Sequence, residues 1–281
     1  MLKIAVPNKG SLAEAATNML RAAGYRQRTD PKDLTLVDSA HDVEFYYLRP
    51  RDIAVYVGEG HLDVGITGRD MLLDSGARAT EVMPLGFGGS RFRFAAPAGR
   101  SHDIAALAGK RIATSYPGLL GRWLGEHGIE ANLVKLDGAV ESAIRLGVAD
   151  VVADVVDTGT TLQRAGLEVF GEPICASEAI LIRRDEDTEP EGLASLRTRL
   201  ESVLVAQNYL MMDYNVAEPD LEATTALASG VNGPTVSRLA EPGWMAVRVL
   251  VPRRGAHLLM DRLFEAGARG IILTELSAVR L

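Results

Sequence analysis

The stretch ADVVADVVDTGTTL, residues 149–162, is branched and apolar until it breaks into Asp-Thr-Gly-Thr-Thr. That pattern predicts a buried strand feeding a tight turn into a helix. Gly159 allows close approach of backbone to a ligand, and exposed amides at a helix start favour an anion. Thr158, Thr160 and Thr161 add hydroxyls that rotate toward phosphate oxygens. Two readings fit: a phosphate cradle or an ordinary helix cap, with Asp154 a ligand-facing acid or a solvent-facing strand end. No G-x-x-x-x-G-K-[ST] is present, so a Walker A loop is excluded.

Other chemistry-bearing residues stand at similar places. PNKGS joins the first predicted strand to the first helix and offers Lys9 as a mobile charge and Gly10 for close approach, or simply a capped helix. ITGRD ends a strand with Arg69 and Asp70, the latter favoured by the helix dipole. Arg49 precedes Pro50 and is therefore extended, with its side chain directed to a cleft or to solvent. Tyr116 sits on a Pro-Gly turn, where a ring stacks on a base or packs in a loop, and Glu141 falls one turn into a predicted helix. Together these residues would surround one cleft between two lobes.

The elements that must position them alternate. LKIAVPN is a predicted strand and SLAEAATNMLRAAG a helix with Ser11 and Glu14 at capping-box spacing. LTLVD, VEFYYLR and LDVGITG follow as strands, with RDIAVYVGEG and RDMLLDSG as helices, implying a mainly parallel sheet. From Phe92 the pattern restarts through FRFAAPAG, KRIATSYP, GLLGRWLGEHG, ANLVKLDG and AVESAIRLG. GHLDVGITGRD and GVADVVADVVDTG resemble each other, as expected of two similar lobes. PICASEAILIRR returns the chain to the first lobe. The expected fold is α/β: lobe I from residues 1–91 and 174–206, lobe II from 92–173, and a βαββαβ, ferredoxin-like module over 207–281.

Composition narrows the class. The 281 residues suit about two domains, 47% are hydrophobic and 24% charged. No apolar run reaches the roughly 18–20 residues of a membrane helix, and the opening residues do not form a signal-peptide core. A single cysteine, Cys175, and the lack of an export signal point to the cytoplasm. The net charge of −7, without a Lys/Arg block, argues against nucleic acid but leaves room for small anions. The five histidines show no metal-ligand spacing.

Residues 141–162, EsairlGvAdvVaDVvdTGtTL, resemble the signature of the ATP phosphoribosyltransferase family through Glu141, Gly147, Ala149, Val152, Asp154, Thr158, Gly159, Thr161 and Leu162. The resemblance extends to VPNKGSL, FYYLRPRDI, LDVGITGRD, ATSYP and GEPICASEA. MMDYN and GPTVSRL resemble the regulatory domain of the family's long form. It implies a two-lobed catalytic part like periplasmic binding proteins, and condensation of ATP with 5-phosphoribosyl 1-pyrophosphate, with Mg²⁺ held mainly through pyrophosphate. It places the sugar phosphate on Asp154, Thr158, Gly159, Thr160 and Thr161. Lys9, Arg49 and Asp154 are the expected catalytic residues, and Gly10, Asp70, Tyr116 and Glu141 the rest of the ATP cleft. It further implies inhibition by histidine at Asn215, Thr235 and Gly270, and assembly from homodimer to homohexamer. Asp157 departs from the family's small neutral residue and is expected to point away from the phosphates. The competing reading is a non-catalytic two-lobed small-molecule binding protein.

Overall fold

Continuous apolar runs bounded by glycine and polar turns become strands buried on both faces, as parallel-type strands are. In chain order the computed structural model has β1 (Leu2–Pro7), α1 (Ser11–Ala22), β2 (Thr35–Asp38), β3 (Val43–Leu48), α2 (Pro50–Gly58), β4 (Val64–Gly68), α3 (Arg69–Ser75) and β5 (Ala79–Pro84). A second set follows: β6 (Ser90–Pro97), β7 (Arg111–Thr114), α4 (Pro117–Glu126), β8 (Asn132–Lys135), α5 (Ser142–Arg145), β9 (Val151–Val156), α6 (Thr160–Arg164) and β10 (Leu167–Ser177). Then come β11 (Ala179–Arg184), α7 (Leu193–Asn208), β12 (Tyr209–Ala217), α8 (Leu221–Leu227), β13 (Thr235–Arg238), β14 (Trp244–Pro252), α9 (Ala256–Glu265) and β15 (Arg269–Thr274). The structure describes residues 1–99, 103–156, 160–186 and 188–281. Asp157, Thr158, Gly159 and the Thr161 side chain, all singled out above, lie outside what is described.

By contacts, Met1–Asn18 with Tyr25–Ala194 form one unit, and Met19–Gly24 with Ser195–Leu281 another. The first unit holds two sheets, ordered β2-β3-β1-β4-β11-β5 and β10-β6-β9-β7-β8. Both are mixed, which corrects the mainly parallel sheet expected above. β3, β1 and β4 are parallel neighbours, as are β8, β7 and β9, whereas β2, β11, β5, β6 and β10 pair antiparallel. The antiparallel strands include those that carry the chain from one sheet to the other, β5 to β6 and β10 to β11. These crossings, at residues 85–89 and at Glu178, are tied by Leu85 N–H to Ala179 O (2.9 Å) and Ala179 N–H to Phe87 O (2.8 Å). β10 reaches Ser177 inside the second sheet and bulges between Phe170 and Cys175.

Helix α5 is shorter than the pattern predicts. Gly138 and Ala139 both adopt positive φ, 121° and 49°, so the chain turns before the helix begins. Glu141 is consequently its N-cap residue instead of lying a turn inside.

The second unit contains a four-stranded antiparallel sheet in the order β13-β14-β12-β15, the ferredoxin-like arrangement. One face is core: Leu210, Met212, Tyr214 and Val216 pack with Val247, Val249, Val251, Ala256 and Leu263. The alternate residues of the same strands face outward, as period-two alternation requires.

Candidate active site

In the first sheet, β3, β1 and β4 end side by side, Pro7 standing opposite Leu48. Their C-terminal ends deliver Arg49, Lys9 and Asp70, the position where α/β sheets take ligands. Arg49 is the extended N-cap residue of α2 (φ −66°, ψ 134°), as expected ahead of Pro50. Lys9 is exposed, and Gly10 beside it has φ +78° with open space where a Cβ would stand. The turn is braced: Asn8 N–H donates to Leu48 O (2.8 Å), and Arg28, lying over the Tyr47 ring at 4.0 Å, reaches Asn8 O at 3.5 Å.

Asp70 is only 4% exposed. Its carboxylate accepts the Ser177 hydroxyl (2.7 Å), while its own N–H donates to Ser177 Oγ (3.0 Å). The carboxylate folds over Gly68, where a Cβ would come 2.3 Å from Asp70 Oδ1; this close approach accounts for the glycine in ITGRD. Its neighbour Arg69 is spent elsewhere, paired bidentate with Glu81 (2.8 Å for both bonds) and with Glu178 at 3.3 Å. Arg69 therefore braces the crossing at Glu178.

In the second sheet, β8, β7 and β9 also end side by side and deliver Glu141, Tyr116 and Asp154. Tyr116 is 6% exposed, with Arg51 4.3 Å over its ring and Phe92 at its edge. The ring is thus packed in the core with the Arg51 guanidinium over one face, and its hydroxyl lies near the Asp70 charge. Burial, followed by the Asp70 charge, pushes the Tyr116 hydroxyl far above the ordinary tyrosine value. Burial also raises the Asp154 carboxyl to about 6, with Glu141 and Asp70 adding to the rise while the Val155 N–H and Arg51 oppose it. Asp70, Tyr116, Asp154, Glu141 and Arg51 therefore share one electrostatic neighbourhood between the two sheets. Thr160, exposed, opens α6 just beyond.

Two parts of this site escape sequence reading. Arg51 sits in the RPRDI stretch but gains meaning only from Tyr116 and from Asp74, 3.3 Å away. A cavity of about 570 Å³ at the crossings is lined by Gly86, Ser90, Arg91, Val156, Ser177 and Glu178. Arg91 stands opposite Val156, the last residue of β9.

The residues expected to bind histidine lie in the other unit. Asn215 and Thr235 are on the outward face of its sheet, Thr235 opposite Arg248, which pairs with Asp213 at 2.7 Å. Gly270 (φ +58°) lies at the irregularity of β15, where an added Cβ would stand 3.6 Å from Asn215 Nδ2.

Two mixed sheets joined by paired crossings, with strand ends converging between them, define a two-lobed α/β protein whose chain also holds a ferredoxin-like module. The chain belongs to the ATP phosphoribosyltransferase family, whose model matches residues 49–202; the model of the HisG C-terminal domain matches residues 206–278. Over the full length of both chains it is 57% identical to the ATP phosphoribosyltransferase of Kocuria rhizophila and 56% identical to that of Streptomyces coelicolor. A chain of the ATP phosphoribosyl transferase (HisG:HisZ) complex from Thermotoga maritima superposes with a TM-score of 0.62 at 27% identity, covering 72% of this chain and 97% of that one. The protein is thus a phosphoribosyl-transferring enzyme of the first step of histidine biosynthesis, in the long form with a regulatory C-terminal domain. The non-catalytic alternative is set aside by full-length identity to enzymes.

Proposed function

We propose that the site between the two sheets condenses ATP with 5-phosphoribosyl 1-pyrophosphate, and that Asp154 is its central group. A ring nitrogen of adenine attacks C1 of the sugar; the C1–O bond to pyrophosphate breaks and its electron pair leaves with the pyrophosphate. Positive charge builds on the ribose meanwhile, and the Asp154 carboxylate faces it while holding sugar hydroxyls. The attacking nitrogen carries no proton, so no strong base is needed and positioning supplies much of the rate. Asp70, Tyr116, Glu141 and Gly10 hold ATP. Thr158, Gly159, Thr160 and Thr161 hold the sugar's phosphate. Lys9 and Arg49 meet the charge of the leaving group, with Arg91 a further cation at the end of β9.

Mg²⁺ neutralises charge on the departing pyrophosphate when bound. Among the described residues no group of three or more His, Cys, Asp or Glu forms a cage for it. Asp154 and Glu141 offer the hard oxygens it prefers, and the pyrophosphate supplies the remainder. Inhibition by histidine at Asn215, Thr235 and Gly270, assembly as homodimers and homohexamers, and a cytoplasmic setting complete the proposal.

The observation that carries this reading is the convergence of Asp70, Tyr116, Asp154, Glu141 and Arg51 from two sets of parallel strand ends. The test mixes the protein with ATP, the pyrophosphorylated sugar and Mg²⁺ while pyrophosphate is removed enzymatically. Pyrophosphate release with a changed adenine spectrum is expected; no product under these conditions overturns the assignment.

A further inference from the structure

Helix α4 begins without a cap of its own: its N-cap residue, Tyr116, contributes no side-chain bond to the first turn. The orphan amides are met from the other sheet's helix instead. Asp74 of α3 accepts the N–H of Gly118 (2.8 Å) and of Leu119 (3.0 Å) on one carboxylate oxygen. Its other oxygen lies 3.3 Å from Arg51 Nη1. The Asp74 side chain is 14% exposed. The two helices meet backbone to backbone, since a Cβ at Gly118 would come 2.2 Å from Asp74 O. Arg51 in turn lies over the ring of Tyr116, whose hydroxyl lies near the Asp70 charge.

We infer that Asp74 is a positioning residue for the transfer: a latch between the two sheets that sets Tyr116 and Arg51 against Asp70. A charged acceptor at a helix start satisfies amides and complements the dipole, and here the same charge orients a guanidinium. The inference rests on the proposal that the Asp70–Tyr116 end of the site holds ATP. The residues proposed to hold the sugar phosphate follow β9 in the sequence, whereas Asp74 acts on the first turn of α4 and on Arg51.

The test compares full-length wild type, Asp74→Ala and Asp74→Asn for kcat, for KM of each substrate, and for equilibrium binding of ATP without the sugar donor. Asp74→Ala is expected to raise KM for ATP on the order of tenfold or more, because small displacements of positioning groups are costly, and to leave KM for the sugar donor unchanged. Asp74→Asn keeps an oxygen on both amides but turns an NH₂ donor toward Arg51, and is expected to raise KM for ATP by less than Asp74→Ala does. The dissociation constant for ATP is expected to rise in Asp74→Ala in step with its KM. A fall in kcat with both KM values unchanged, an equal rise in both, or identical behaviour of the two variants would overturn the latch. If wild type makes no product, the transfer reading fails, and equilibrium binding of ATP then decides the latch by itself: an unchanged affinity in Asp74→Ala overturns it.

Discussion

At the scale of single residues, Asp154 shows how a site trades stability for chemistry. Its carboxyl is raised from the ordinary value to about 6 by burial and by Glu141 and Asp70, against Arg51. A carboxyl raised on folding binds its proton more tightly in the native state than in the unfolded chain. Between the unfolded value near 4 and about 6, stability therefore falls as pH rises, and above that window the cost is complete. Asp154→Asn is expected to stabilise the protein near pH 7.5 by on the order of 2 kcal/mol, and to gain little at pH 4. Denaturant unfolding at the two pH values checks this. The same substitution should lower kcat/KM by about two orders of magnitude or more, since it removes the charge proposed to face the cationic sugar. In wild type, kcat/KM should decline as pH falls through about 6, where Asp154 takes up its proton. Asp154, Asp70 and Lys9 were legible in the sequence because each follows an apolar run that had to be a strand. Asp74, Arg51 and Ser177 were not. Asp74 looks like an ordinary helix acid in RDMLLDSG, and its partners lie 23 and 44 residues away.

Among elements, the order of strands and helices was readable from alternating apolar runs and turn residues, and the βαββαβ order of the last four strands held throughout. Sheet direction was not readable in the same way. A run such as AILIRR is apolar whichever way its neighbours point, and only the crossings that carry it between sheets make it antiparallel. Helix α5 was overextended because AVESAIRLG has helical composition, whereas the positive φ of Ala139 is a property of the turn. Glycine positions carry a related test. Gly118 lies where α4 meets α3, and its Cβ would collide with a backbone carbonyl, which cannot rotate aside. Gly118→Ala should cost about 1–3 kcal/mol by overpacking, seen as a lower unfolding midpoint. It should also weaken ATP binding, because the displaced helix carries Tyr116. By contrast, Gly121→Ala in the same helix meets only a leucine methyl at 3.8 Å and should be neutral or better, given alanine's helix preference.

For the molecule as a whole, catalysis and regulation are assigned to separate units, and each has to be testable without disturbing the other. The regulatory sheet buries one face and leaves Asp213, Asn215, Thr235 and Arg248 on the other, a polar surface of paired charges and hydrogen-bonding side chains. Histidine presents an ammonium, a carboxylate and an imidazole, and such a surface answers it with amide, hydroxyl and charged groups. A lost hydrogen bond to a charged ligand group costs about 1.5–3 kcal/mol, so Asn215→Ala and Thr235→Val should each raise the half-inhibiting histidine concentration roughly tenfold or more. Gly270 supplies a second kind of test, because its φ of +58° is one that a branched residue does not accept without strain. Gly270→Val should therefore disturb the same response by moving β15 beside Asn215. The measurement is the initial rate of pyrophosphate release against histidine concentration for wild type and the three variants. Inhibition curves that coincide with wild type in all three would place the histidine sensor off this face of the sheet.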